Sequence, residues 1–161
     1  MEIIEYNEKY LEDCKDLLVE LEEYILSIDE DKLDQLHPEY RDKMFLLDYQ
    51  EVVNNNGKIY LAIENDKAIG LIMGNIIKYD DNDHLDYTCP KAGEIRELIV
   101  SNKARGNNIG TKLIETLEEY FKSVGCKWIH VDVFSYNVRG KNFYQKFGYH
   151  NRMDQMIKKI D

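Results

Sequence analysis

Three features of the sequence predict a mixed α/β (α+β) fold. Segments with helical spacing of apolar residues alternate with short β-rich runs in the order β, α, α, β, β, β, α, β, α, β. Two of the β runs are joined by Asn65-Asp66, a hairpin signal that requires antiparallel neighbours. The 161 residues are enough to bury a core in one domain spanning 1–161, and no repeat or linker interrupts them.

Each element has a local reason. Met1 to Tyr6 alternates apolar and polar residues and reads as a first strand, and Asn7 can cap the helix behind it. There Leu11, Cys14, Leu17, Leu18, Leu21, Ile25 and Ile28 recur at helical spacing, leaving Glu12, Asp13, Asp16, Glu20 and Glu23 as a solvated face. Asp29 to Asp31 breaks that pattern. A second helix is expected from about Glu39 to Asn54, stopped by Asn54-Asn55-Asn56-Gly57. Ile59 to Glu64 and Ala68 to Ile77 are the hairpin strands, and Lys78 to Lys91 is a polar loop over or beside a cleft. A strand from Glu94 to Val100 leads into a helix whose inner face carries Ile109, Leu113, Ile114, Leu117, Tyr120, Phe121 and Val124, ending near Gly125. Trp128 to Phe134 is a further strand. Asn137 caps a short helix containing Phe143, Tyr144 and Phe147, Gly148 stops it, and Tyr149 to Ile160 supplies a last strand.

Composition removes several function classes. The formal charge of −10 argues against a surface for DNA or RNA phosphates, which requires basic patches, and it suits cationic substrates such as amines. Cys14, Cys89 and Cys126 are odd in number and widely spaced, which fits reduced cytosolic thiols rather than a disulfide framework. With no basic leader and no apolar run long enough to cross a bilayer, a cytoplasmic protein without membrane contact is expected. His37, His84, His130 and His150 show no metal-ligand spacing with one another or with the cysteines, so no metal is expected.

The stretch from Ile95 to Ile114 carries the functional signal. A buried strand, a Gly- and Asn-rich turn and the start of an amphipathic helix together aim unpaired backbone N–H groups at an anion, most simply a phosphate. Three residues separate Gly106 from Gly110 and the order that follows is Gly-Thr-Lys, so the stretch is not a nucleotide-triphosphate loop of the G-x-x-x-x-G-K-S/T kind. The dinucleotide fingerprint G-x-G-x-x-G is absent as well.

Arg105-Gly106-Asn107-Asn108-Ile109-Gly110-Thr111 does match the acyl-CoA pyrophosphate loop R/Q-x-x-G-x-G/A, and here the chain resembles the GNAT superfamily of acyl-CoA-dependent N-acyltransferases. The strand Glu94 to Val100 before the loop and the run Asn137-x-x-x-x-x-Phe143-Tyr144-x-x-x-Gly148-Tyr149 after it agree in order, so the resemblance spans roughly Ile59 to Tyr149. It implies a central twisted, mixed but mostly antiparallel sheet flanked by helices, with the N-terminal helices shaping the acceptor site. It also implies acetyl-CoA as cosubstrate and an amine as acceptor. One position departs from the pattern: Asn108 stands where the family usually has Gly. Asn tolerates positive φ better than most residues, so the loop can form. Either CoA affinity is weakened, or the Asn108 amide donates to a phosphate oxygen.

Acyl transfer to an amine requires a base, an oxyanion donor and a proton for the leaving thiolate. An amine of pKa about 10 is protonated at neutral pH, so a base must act before the nitrogen attacks. Glu94 and Glu97 lie on the strand where the family carries that base. Three apart, they point to opposite faces of a regular strand unless a bulge intervenes. The resemblance favours Glu97, with Glu94 second, and a surface glutamate paired with Arg96 is the plain alternative for either. The resemblance further implies an oxyanion donor among the N–H groups near Leu98 or Ile99, splayed by a bulge. It implies strand-like pairing of Leu98 and Val100 with the pantetheine arm, and the N–H groups of Arg105 to Thr111 on the pyrophosphate. Tyr144 is then the general acid, and Asn137 caps its helix and contacts CoA or the tyrosine.

These features predict direct attack of a small primary amine, such as a polyamine, aminoglycoside or amino acid, on acetyl-CoA. A protein N-terminus or lysine as acceptor, a non-catalytic acyl-CoA-binding module, and a monomeric or homodimeric state all stay open.

Overall fold

Every strand lies beside its neighbour in sequence. A computed structural model describes residues 1–104 and 106–160. Its strands β1 (Glu2–Glu5), β2 (Lys58–Glu64), β3 (Lys67–Ile76), β4 (Ala92–Val100) and β5 (Trp128–Val131) form one sheet in the order β1-β2-β3-β4-β5. The first three pairings are antiparallel and β4–β5 is parallel. Its helices are α1 (Leu11–Ile28), α2 (Tyr40–Asn54), α3 (Ile109–Ser123) and α4 (Val138–Lys146).

Alternation along the strands builds two cores. Ile59, Leu61 and Ile63 of β2 face Cys14, Leu17 and Leu18 of α1 and Phe45 and Val52 of α2. Ala62, one residue out of step, faces Leu113, Leu117 and Phe121 of α3 on the other side. Burying each large side chain contributes about 1.5–3 kcal/mol, so the two layers, not helix propensity, hold these elements together. Asn65 and Asp66 both have positive φ, at 50° and 59°, as a two-residue hairpin turn requires. Asn7 caps the entry to α1 through its own side chain, accepting from the Lys9 N–H at 2.9 Å in a short 3-10 turn.

Three expectations need correction. Not all of the α1 acidic row is idle: Asp13 Oδ2 accepts the Ala68 N–H at 2.9 Å, and Glu20 accepts the N–H of Asn102 just after β4. The strand expected to reach Phe134 stops at Val131, because the chain there turns into the cap of α4, with Asn137 N donating to Phe134 O at 2.8 Å. No strand forms over Tyr149 to Ile160. Tyr149 is held back against the helices, its hydroxyl donating to Glu118 Oε1 at 2.9 Å. Beyond it Met153, Met156, Ile157 and Ile160 are exposed, and they recur every three or four residues rather than alternating.

Candidate active site

The site is organised by a bulge in β4. Met73 of β3 pairs with Glu97, but Gly74 pairs with Ile95, so Arg96 is an extra residue on β4. The bulge inverts the alternation on either side of it: Ile99 joins the α1–α2 core, whereas Ile95, four residues earlier, joins the α3 core. Arg96 and Glu97, though consecutive, therefore both bear on groups of α2. The Arg96 guanidinium donates to Asp48 Oδ1 at 3.0 and 3.3 Å and lies 4.0 Å from Glu94 Oε2. The bulge thus brings Glu94 and Glu97 to the same side. It sits two residues before Leu98, slightly earlier than the resemblance implied.

Electrostatics single out Glu97. Burial is the main cause that pushes its carboxyl up to about 8. The Asp48 charge adds to the rise, Arg96 opposes it, and Glu22 of α1 adds a smaller part. Glu22 is itself raised, first by burial and then by Asp34, while a hydrogen bond with Tyr40 of α2 lowers it. A carboxyl near 8 exchanges its proton close to neutral pH, as an effective general base must. Glu94 is half-buried, with its carboxylate 4.0 Å from the Arg96 guanidinium.

Tyr144, on α4, packs against the α3 core. Its ring packs edge-on against Phe143 and Tyr149, at centroid distances of 5.4 and 5.5 Å. Burial, and after it the Glu97 charge, hold its phenol well above the ordinary tyrosine value, so it carries its proton at any physiological pH. Asn137 caps α4 as expected, its Oδ1 accepting the Gly140 N–H at 2.8 Å. The tyrosine it meets is Tyr24 of α1, whose hydroxyl donates to the same oxygen at 3.1 Å.

Between these groups the sheet opens. The β4–β5 ladder ends at Ile95↔Val131, so from Arg96 to Ile99 β4 runs on with no β5 beside it. Leu98 and Ile99 lie in that stretch, and Val100 ends β4. The turn that follows leads through Gly106, at φ 99°, and Asn107 to Asn108, which adopts the left-handed conformation at φ 54° and ψ 24°. Asn108 thus takes the conformation for which glycine is favoured, and its side chain makes no capping hydrogen bond. The backbone N–H groups of Ile109, Gly110 and Thr111 open α3 and have no intrahelical acceptor. Gly110 faces the Phe143 ring of α4, from which a Cβ would lie 3.4 Å away, an ordinary contact. Arg105 lies outside the described residues. Among the described residues no group of three or more His, Cys, Asp or Glu side chains is arranged to hold a metal ion. No helix among them is long and apolar enough to cross a membrane.

Glu22, Tyr40, Asp48 and Tyr24 were not singled out by sequence. Asp48 had a detectable signal: it follows Phe45 by three and precedes Val52 by four, a carboxylate in the middle of the inward stripe of α2.

Comparison with known proteins bears on the family and the fold. A glucosamine 6-phosphate N-acetyltransferase of Arabidopsis thaliana is 38% identical over 73 residues, covering 45% of this chain and 47% of the relative. The chain spans about half the length of the curated relatives it matches. Among solved structures, a mutant of the BH1408 protein from Bacillus halodurans superposes with a TM-score of 0.85 at 18% identity, covering 99% of both chains. The crystal structure of glucosamine-6-phosphate N-acetyltransferase from Arabidopsis thaliana gives 0.62 at 25% identity, covering 99% of this chain and 98% of that one. The family model of the acetyltransferase (GNAT) family matches residues 22–149, a range that holds Glu22, the β4 bulge, the Asn108 turn and Tyr144, and the chain belongs to that family.

Proposed function

We propose that the protein transfers the acetyl group of acetyl-CoA to a small, cationic primary amine by direct attack. The observation that carries this reading is the bulge at Arg96, which sets Glu97 on the part of β4 that runs beyond β5, with Tyr144 close enough for the Glu97 charge to help raise its phenol. Glu97 takes the proton of the attacking amine, directly or through a water. Tyr144 gives its proton to the departing thiolate. The two steps assist each other: once Glu97 is neutral, the charge that helped hold the phenolic proton is gone, and Tyr144 becomes the better acid. The N–H groups of residues 106–111 suit the pyrophosphate, as the left-handed Asn108 and the open first turn of α3 support. Leu98, Ile99 and Val100 suit the pantetheine arm and the oxyanion. Arg105 is assigned to the same loop from the motif alone.

The acceptor class follows from charge. Among the described residues the charged groups bearing on Glu97 are the carboxylates Asp48 and Glu22 and the cation Arg96, which is already engaged by Asp48. Such surroundings favour an ammonium and disfavour a phosphorylated aminosugar. The three thiols are unpaired, which supports a reducing, cytoplasmic setting.

A thiol-release assay with acetyl-CoA against spermidine, kanamycin, lysine, a lysine-bearing peptide and glucosamine 6-phosphate tests the reading. Turnover is expected with the first three and not with the phosphosugar. Binding of acetyl-CoA by calorimetry without thiol release from any amine would instead identify a non-catalytic binding module.

A further inference from the structure

Asp48 stands out because nothing in the packing of α2 requires it. It is 2% exposed, among Phe45, Val52 and the sheet, where an uncompensated carboxylate is costly. Only one of its oxygens is compensated. Oδ1 takes both hydrogen bonds from Arg96, while Oδ2 is buried with no donor among the described residues. An apolar residue would fill the stripe more cheaply, so the carboxylate calls for an explanation other than stability.

Position supplies one. Arg96 is the extra residue of the β4 bulge, and Glu97 follows it directly. A bulge re-aims side chains only while something holds the extra residue in place. Here the hold is the two-hydrogen-bond contact across to α2. We propose that Asp48 is a positioning residue for proton removal from the acceptor amine: its hold on Arg96 keeps the bulge that aims Glu97, and its charge bears on Glu97 from within the core. This deepens the reading in which Glu97 is the base, and rests on it.

The other groups that act on Glu97 are few. Among the described residues Glu22 comes from α1 and Arg96 from β4; Glu97 in turn bears on Tyr40 of α2 and Tyr144 of α4, Glu94 of β4 lies against Arg96, and the β3 residue opposite, Met73, does not titrate. Asp48 and Arg96 act on Glu97 in opposite directions, so removing one exposes the other. A merely structural pair would move the titration of Glu97 in neither direction or, through loosening, in the same direction for both variants.

The test is ¹³C NMR of the protein labelled at its glutamate carboxyls, with Glu97 assigned by the signal lost in Glu97→Gln. The wild-type midpoint is expected near 8. Asp48→Asn keeps an oxygen for Arg96 and removes the charge, so the midpoint falls by about one pH unit or more. Arg96→Met removes the cation and the midpoint rises. Midpoints that stay put, or that move together, in variants shown folded by circular dichroism overturn the proposal. Should Asp48→Asn fail to fold, Arg96→Met decides alone: a rise supports the proposal and no rise overturns it. Wild-type turnover in Glu97→Gln, with midpoints that still move as expected, removes the base assignment and with it the role in proton removal. Unmoved midpoints with an inactive Glu97→Gln overturn the Asp48 proposal alone.

Discussion

The Tyr24 hydroxyl donates to Asn137 Oδ1 at 3.1 Å, and the same oxygen accepts the Gly140 N–H at 2.8 Å. One atom therefore caps α4, which carries Tyr144, and ties that helix to α1, which carries Glu22. Tyr24→Phe should cost about 0.5–1.5 kcal/mol of stability, and Asn137→Ala about 1–2 kcal/mol because the cap is lost as well. Urea titration of the double variant should show less than the sum of the two. Full additivity would mean that the two side chains do not cooperate.

Glu97→Gln should lower kcat by about 10²- to 10⁴-fold, the usual size of a general-base contribution. Its effect on stability has a definite sign. The folded-state pKa, about 8, lies above that of an unfolded glutamate, about 4.3, so the folded state holds the proton more tightly. That contribution is fully present below about pH 4 and is lost as pH rises through about 8. Glutamine cannot ionise, so Glu97→Gln and the wild type should melt together near pH 4. Near pH 8.5 the variant should be the more stable, by about 1 kcal/mol or more. A variant less stable than wild type at pH 8.5 would show that the carboxylate is well solvated or well paired in the folded protein.

Tyr144→Phe should slow kcat by at least about ten-fold while acetyl-CoA affinity, measured by calorimetry, changes little. Because burial and Glu97 hold the phenol above its ordinary value, Tyr144 should impose no basic limb on the wild-type pH–rate profile below about pH 10. Unchanged turnover in the variant would return Tyr144 to its packing role against Phe143 and Tyr149.

These groups differ in how legible they were in sequence, and the reason is the range over which each is determined. Asn65-Asp66, Asn7 and Asn137 work through hydrogen bonds or backbone conformations within a few residues, and each appears where the local pattern placed it. The left-handed Asn108 belongs with them. The bulge does not, because Arg96 is extra only relative to β3 and is held by Asp48, 48 residues away in sequence. Glu94 and Glu97 could thus be recognised as candidates, but not as residues on one side. The expected last strand is absent for a similar reason: Tyr149 is drawn to Glu118 of α3, a contact 31 residues away in sequence that no local pattern encodes.

Asn108 gives a test of the turn that separates backbone from side chain. Asn108→Gly keeps positive φ available and should alter stability by only a few tenths of a kcal/mol. Asn108→Val should cost about 1–2 kcal/mol, since a β-branched residue resists φ near 54°. If the Asn108 amide itself touches a phosphate oxygen, Asn108→Gly will weaken acetyl-CoA binding despite its intact fold. Equal or tighter binding would assign the recognition to the backbone N–H groups.

Glu22 decides whether the acidic surroundings of Glu97 serve the acceptor or only tune the base. Its carboxyl is raised by burial and by Asp34, and Tyr40 of α2 opposes that rise. If it holds a second ammonium of the acceptor, Glu22→Gln should raise KM for spermidine by about ten-fold and leave KM for a monoamine such as propylamine nearly unchanged. Salt should reproduce the pattern, with KM for spermidine rising between about 50 and 500 mM sodium chloride far more in the wild type than in the variant. If instead Glu22 acts only on Glu97, removing its charge lowers the Glu97 pKa, and both amines respond alike through a shifted acid limb of kcat/KM. The comparison of a polyamine with a monoamine in one variant therefore separates acceptor recognition from tuning of the base.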